Sequence, residues 1–181
     1  MHTFLQPTLI AFMGIPGSGK STLAKTLALS FQNTDLYLET EEVNYPTEIK
    51  EKFKQNDLLC LYNYFRSQRI PSLLSATQKK IDGRSAIIDS YFDKLMYPML
   101  KRKRIDSLIS SKHPAYPEIL DIALHDAETL PQADVLIFLN VSDNLHLQFL
   151  KARHRNDSDW RNFGEHAIKN CAAFCLHCAQ P

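Results

Sequence analysis

Short apolar runs alternate along the chain with longer amphipathic stretches. Thr8 to Met13 is a brief apolar run, the pattern of a strand buried on both faces. Thr22 to Leu29 follows as a helix, with Leu23 and Leu27 on one face. Asp35 to Leu38 predicts a second strand that ends at Glu39. Thr47 is placed to cap a short charged helix reaching Asn56. From Asp57 onward Leu58, Leu61, Tyr62 and Phe65 recur at helical spacing, and Leu73, Leu74 and Thr77 continue the pattern. Pro71 predicts a kink or interruption in that helix, and Gly83 predicts its end. Ser85 to Asp89 reads as a third strand running into an acid, and Ala133 to Val141 as a fourth. Helices are predicted over 91–110, from Glu118 to Thr129, over 143–155 with Ser142 as cap, and over 158–179. No repeat, low-complexity tract or linker interrupts the pattern.

Strands alternating with helices in this rhythm predict an α/β fold. The expectation is a three-layer sandwich in which helices cover both faces of a central parallel sheet of four to five strands, joined by right-handed crossovers. Residues 1–181 form a single domain in this reading, with a lid region at 150–160. Ligands of such sheets bind at the carboxyl ends of the strands. That directs attention to the loop at 14–21, to Glu39, to Asp89 and to the segment after Asn140.

The composition narrows the partner. The 181 residues are enough for one sizeable core and too few for two ordinary domains. A net charge of +1 supplies no bulk field to recruit nucleic acid or an anionic membrane, so anion binding must come from local sites. No apolar run is long enough to span a bilayer, and the first residues lack the pattern of a secretion leader. A cytoplasmic protein with reduced thiols is expected.

Gly14-Ile15-Pro16-Gly17-Ser18-Gly19-Lys20-Ser21 is a full match to the phosphate-loop (Walker A) pattern G-x-x-x-x-G-K-[ST], and it lies between a predicted strand and a predicted helix, followed by Thr22. Glycines let successive backbone N–H groups turn inward onto phosphates, and the helix that follows aims its positive dipole end at the same anion. Lys20 can reach the terminal phosphates and the Ser21 hydroxyl can hold Mg2+. Glu39 is placed to take a proton from an acceptor hydroxyl, its plainer alternative being a solvated loop acid beside Glu41 and Glu42. Asp89 is placed to organise Mg2+, or to cap the helix after it.

Arg153 and Arg155 can close over phosphates as a lid, or simply favour a helix C-terminus; His154 between them reads as a bystander. Arg66 and Arg69 lie on the long helix among Tyr62, Tyr64 and Phe65, a set that suits a flat base or an anion and equally suits core packing. The run Lys101 to Arg104 reads as a solvated helix face. Cys171, Cys175 and Cys178, near His166 and His177, have the spacing of some iron–sulfur ligands but also form one stripe of a helix, and the helical stripe is the preferred reading. Cys60 has no partner in sequence.

On these residues the chain resembles the deoxynucleoside kinase family within the phosphate-loop kinases. The resemblance spans most of residues 8–157 and is carried by Gly14 to Thr22, Glu39, Arg66 and Arg69, Ile87-Ile88-Asp89, and Asp134 to Leu139 followed by Leu150-Lys151-Ala152-Arg153-His154-Arg155-Asn156. It implies that Glu39 is the base for a sugar hydroxyl and that Arg153 and Arg155 belong to the lid. It also implies ATP and Mg2+ as cofactors and a homodimer. Three positions depart from the family pattern. Ser90 follows Asp89 where the family has arginine, Tyr62 stands where a base-reading glutamine is usual, and Phe149 falls near an earlier lid arginine. No fifth strand is legible after the lid.

The expected activity is ATP-dependent phosphoryl transfer to the hydroxyl of a small molecule, with a (deoxy)nucleoside as acceptor. Lys20, Arg153 and Arg155 would act on the transferring group, and Tyr62, Arg66, Arg69 and Asp89 would line the acceptor side. The alternatives are a nucleoside monophosphate kinase using Arg66, Arg69 and Arg84 as extra cations, a kinase for a non-nucleoside such as a sugar or antibiotic, and a nucleotide-binding regulatory protein with no acceptor.

Overall fold

Leu9–Gly14 is buried at every position, and its side chains divide by alternation between two cores. Leu9, Ala11 and Met13 enter one, and Ile10 and Phe12 enter the other. A strand buried on both faces belongs in the middle of a covered sheet, and that is its position in a computed structural model that describes residues 4–14, 17–55, 57–91 and 112–152.

The strands are β1 (Leu9–Gly14), β2 (Thr34–Tyr37), β3 (Ser85–Ile88) and β4 (Val135–Leu139). They form a four-stranded sheet in the order β2-β3-β1-β4, with every pairing parallel. The register sets Leu9 against Ala86, Ile10 against Val135, and Thr34 against Ser85. The helices are α1 (Lys20–Ser30), α2 (Thr47–Lys54), α3 (Leu58–Ile81), α4 (Tyr116–Thr129) and α5 (Asp143–Ala152), with a 3-10 turn at Glu42–Asn44. The helix α1 packs Ala24, Leu27 and Ala28 against Ile10, Phe12 and Ile87 on one face of the sheet. On the other face α3 contributes Tyr62, Leu73 and Ala76, and α4 contributes Ile119 and Ala123. Each fully buried Leu, Ile or Phe in these layers contributes about 1.5–3 kcal/mol over its exposed state. The three-layer parallel α/β expectation holds for the described residues, with four strands among them. None of the described helices is long and apolar enough to cross a membrane.

Several local expectations are corrected. Pro71 lies inside α3 and does not interrupt it. Its missing N–H would have bonded to the carbonyl of Ser67, and both residues are exposed, so water can satisfy that carbonyl. Thr47 is the first residue of α2 rather than its cap, and no side chain caps that helix. Leu23 and Leu74 face solvent, because the smaller Ala24 and Ala76 let α1 and α3 approach the sheet closely. The second strand spans Thr34–Tyr37 and the fourth is confined to Val135–Leu139. Asp57 caps α3, accepting from the Cys60 N–H at 3.1 Å, and Gly83 (φ 81°) follows its last turn. The predicted helices over 91–110 and 158–179 lie outside the described residues.

The amino-terminal edge of the sheet is tied by charge. Asp134 accepts from the Leu9 N–H at 2.7 Å and pairs with Lys80. Arg84 donates to Asp35 at 2.6 Å, joining the starts of β2 and β3.

Candidate functional site

At the carboxyl end of β1 the chain turns through Gly14, whose φ of 147° disfavours any side chain. A Cβ there would lie 2.9 Å from the Leu139 carbonyl of β4 and 3.0 Å from Ser18 Oγ. Gly19 (φ 91°) occupies the cap position of α1. No side chain caps this helix and no acid lies in its first turn, so its N-terminal amides and positive dipole end remain for an anion. Lys20 and Ser18 are both buried against the loop, and Ser18 Oγ has no hydrogen-bond partner. Phe149 of α5 comes within 3.8 Å of a Cβ placed on Gly19, so α5 packs beside the loop. Gly17 (φ 82°) and Ser21 complete the described part of the motif, with Thr22 exposed on the first turn of α1; Ile15 and Pro16 lie outside the described residues.

The chain leaves β1 toward β2 and leaves β3 toward β4, so the crevice between the ends of β1 and β3 is the switch point where ligands of such sheets bind. Asp89 sits there at 2% exposure. Its N–H donates to the Tyr37 carbonyl at 2.9 Å, which fixes it beside the end of β2. Ser21 Oγ donates to Asp89 Oδ2 at 2.7 Å, while Asp89 Oδ1 is buried with no partner. An orphaned carboxylate oxygen beside a hydroxyl fits Mg2+, a hard cation that takes few carboxylates and keeps its waters. Ser90, next in sequence, is also buried with an unpartnered hydroxyl.

Glu39 lies two residues beyond β2, in a stretch without regular structure. Its carboxylate Oε1 accepts from Arg69 of α3, through Nε at 3.1 Å and through Nη2. Arg69 is 6% exposed, and its guanidinium lies 5.1 Å from the centroid of the Phe65 ring. Arg69 Nη1 is buried without a hydrogen-bond partner. Tyr45, Phe53, Tyr64 and Phe65 form a continuous cluster of rings against this pair, with edge-on contacts at 5.5–5.9 Å. Burial pushes the Tyr64 hydroxyl pKa up, and the neighbouring Glu39 charge adds to the shift.

Other predicted site residues are placed differently. Arg66 holds Asp126 of α4 in a bidentate pair, Nε to Oδ2 at 2.6 Å and Nη2 to Oδ1 at 2.7 Å. Tyr62 belongs to the core cluster under α3, its hydroxyl without a partner and its pKa pushed up to about 12 by burial and then by the Asp126 charge. Arg84 stands at the opposite end of β3 from Asp89, against Asp35, so the expectation that it serves an acceptor phosphate is corrected. Arg153, His154, Arg155, His166, His177, Lys101 to Arg104 and the cysteines 171, 175 and 178 lie outside the described residues. Cys60 is a free, half-buried thiol. Sequence reasoning missed Asp126, although Ile119, Ala123 and Asp126 form one buried helical stripe in which an acid needs a partner. It also missed Tyr45 and Phe53, which carry no signal beyond being aromatic.

No protein-family model matches the chain, and no curated protein matches it in sequence. Solved structures do. Deoxyadenosine kinase from M. mycoides with bound dATP superimposes with a TM-score of 0.66 at 20% identity, covering 93% of this chain and 84% of that one. The same enzyme with dCMP and dCDP gives 0.63 at 18% identity over the same shares. Thymidylate kinase from Candida albicans gives 0.61 at 17% identity, covering 91% and 76%. At these identities the likeness is one of fold, the fold that these deoxyadenosine and thymidylate kinases share.

Proposed function

We propose that the protein is a kinase that transfers the γ-phosphoryl group of ATP to the hydroxyl of an uncharged, nucleoside-like small molecule. One observation carries the reading. The phosphate loop, the Ser21–Asp89 pair and the Glu39–Arg69 pair all sit at the carboxyl ends of β1, β3 and β2, along one edge of one sheet. Donor cradle and acceptor base would then share the same end of the sheet, which suits in-line transfer. The deoxyadenosine and thymidylate kinases that share the fold lend support.

The charges argue for a neutral acceptor. A monophosphate needs uncommitted cations, yet Arg66, Arg69 and Arg84 are each neutralised by a carboxylate: Asp126, Glu39 and Asp35. In the proposed reaction Glu39 accepts the proton of the acceptor hydroxyl. The acceptor oxygen bonds to the γ-phosphorus as the bond from that phosphorus to the oxygen bridging the β-phosphate breaks. ADP and the phosphorylated acceptor leave, and the proton passes from Glu39 to solvent. Lys20 and the α1 N-terminus offset charge on the transferring group, with Arg153 and Arg155 proposed to join them. Ser21 and Asp89 would hold Mg2+, which supplies further charge neutralisation when bound.

The test is ADP release from ATP and Mg2+ with a panel of nucleosides, nucleoside monophosphates, sugars and no acceptor. Stimulation by a nucleoside is expected. Stimulation by a monophosphate alone would replace the neutral acceptor, and slow release independent of any acceptor would point to a regulatory protein. Lys20→Ala should abolish turnover with the fold intact, and Glu39→Gln should keep ATP binding while losing roughly 10²–10⁴-fold in kcat.

A further inference from the structure

Glu39 has a structural difficulty that Arg69 resolves. It stands two residues past β2, in backbone held by neither helix nor strand, with its side chain 23% exposed. A general base must be fixed against the proton that it removes, since displacement by about 1 Å can cost on the order of 100-fold in rate. β3, the neighbouring strand, continues into Asp89, Ser90 and Tyr91, none of them a cation. Arg69 comes instead from the interior of α3, where it is locked by burial and by the Phe65 ring. It places two of its donors on the same carboxylate oxygen. Its third nitrogen, Nη1, is left buried with no partner. A buried guanidinium with an unsatisfied nitrogen is costly unless a ligand completes it.

We propose, resting on the kinase reading above, that Arg69 positions Glu39 and that its Nη1 donates to the acceptor's hydroxyl oxygen beside that carboxylate. One side chain then sets both partners of the proton transfer. The planar fork is what makes this possible, so lysine cannot replace it. The positive charge also favours ionised Glu39, which keeps the base deprotonated at lower pH.

The experiment compares wild type, Arg69→Met, Arg69→Lys and Arg69→Ala in steady-state kinetics across pH, with the panel acceptor that wild type uses. Arg69→Met should lower kcat about 100-fold and raise the acceptor KM about tenfold, while the KM for ATP stays as in wild type. Without the neighbouring cation the acid limb of kcat/KM should move upward. Arg69→Lys should lose at least tenfold in kcat, and added guanidinium at millimolar concentration should partly restore Arg69→Ala where methylammonium does not. A role confined to stability would move none of the acid limb, the KM split or the guanidinium rescue. Wild-type kcat with an unshifted acid limb in Arg69→Met overturns this inference and leaves the kinase reading standing. If Arg69→Met does not fold, wild-type kcat in Arg69→Lys overturns it equally. A wild-type protein that phosphorylates no acceptor overturns the kinase reading and this inference with it.

Discussion

Asp126 is a carboxylate with 3% of its side chain exposed, and Arg66 occupies both of its oxygens while itself remaining 36% exposed. Arg66→Met keeps the apolar stem of the side chain and removes the guanidinium, so it isolates the charge. Breaking a buried pair by deleting one partner costs about 3–5 kcal/mol, and the partial exposure of Arg66 brings the expectation to about 3 kcal/mol. For a chain of this size that corresponds to a fall in Tm of roughly 6–12 °C. Urea denaturation at pH 7 measures the deficit. Arg66→Met/Asp126→Leu, which leaves neither charge, should recover most of the loss. A deficit below about 1 kcal/mol, or no recovery in the double variant, would refute the view that Arg66 serves to neutralise Asp126.

Gly14→Ala should destabilise by about 2–4 kcal/mol and abolish nucleotide binding, since the new Cβ meets the backbone carbonyl of Leu139 in a conformation that disfavours side chains; equilibrium unfolding and a fluorescent-nucleotide titration measure both. For Asp134→Asn we expect a loss of about 1 kcal/mol at pH 7 from the weakened bonds to Leu9 N–H and Lys80. Burial raises the Asp134 pKa, but those two bonds outweigh it and hold the carboxyl below its usual value. Its contribution is therefore complete above about pH 4 and disappears as pH falls further, so the two denaturation curves should converge in acid. Tyr62→Phe should raise stability by about 1 kcal/mol by deleting a buried hydroxyl without a partner; a lower Tm would mean that this hydroxyl is satisfied in solution.

Much of the fold was legible because its signals are local. The apolar runs at Thr8 to Met13 and at Ser85 to Ile88, the glycine motif and the stop at Gly83 each report a constraint within a few residues. Pro71 misled because proline's cost depends on whether the freed carbonyl meets water, which only the position of α3 on the surface decides. Leu23 and Leu74 misled because helical spacing counts hydrophobicity, whereas close approach to a sheet favours alanine. The site divides in the same way. The residues of the phosphate loop and the acids at strand ends were readable from order along the chain. The pairings Glu39–Arg69, Arg66–Asp126 and Asp35–Arg84 join residues 30, 60 and 49 positions apart, and no spacing rule reaches so far.

Those pairings carry more functional information than the residue types alone, because they distinguish the two edges of the sheet. At the amino edge Ser85 Oγ accepts from Thr8 N–H, Asp134 from Leu9 N–H and Lys80, and Asp35 from Arg84. At the carboxyl edge Ser18 Oγ, Asp89 Oδ1, Ser90 Oγ and Arg69 Nη1 are buried without partners. Each such group costs about 1–3 kcal/mol unless something bonds to it. A chain of marginal stability gains when a ligand completes several of them at one place. The orphaned atoms are also chemically mixed: two hydroxyls, a carboxylate oxygen and a guanidinium nitrogen. One anion could satisfy the cation and the hydroxyls but would repel the carboxylate, so the proposed function assigns them two kinds of partner, a cation at Asp89 and an oxygen acceptor at Arg69. Asp89 follows β3 and Arg69 lies on α3, a separation that fits the donor and acceptor sides of the proposed reaction.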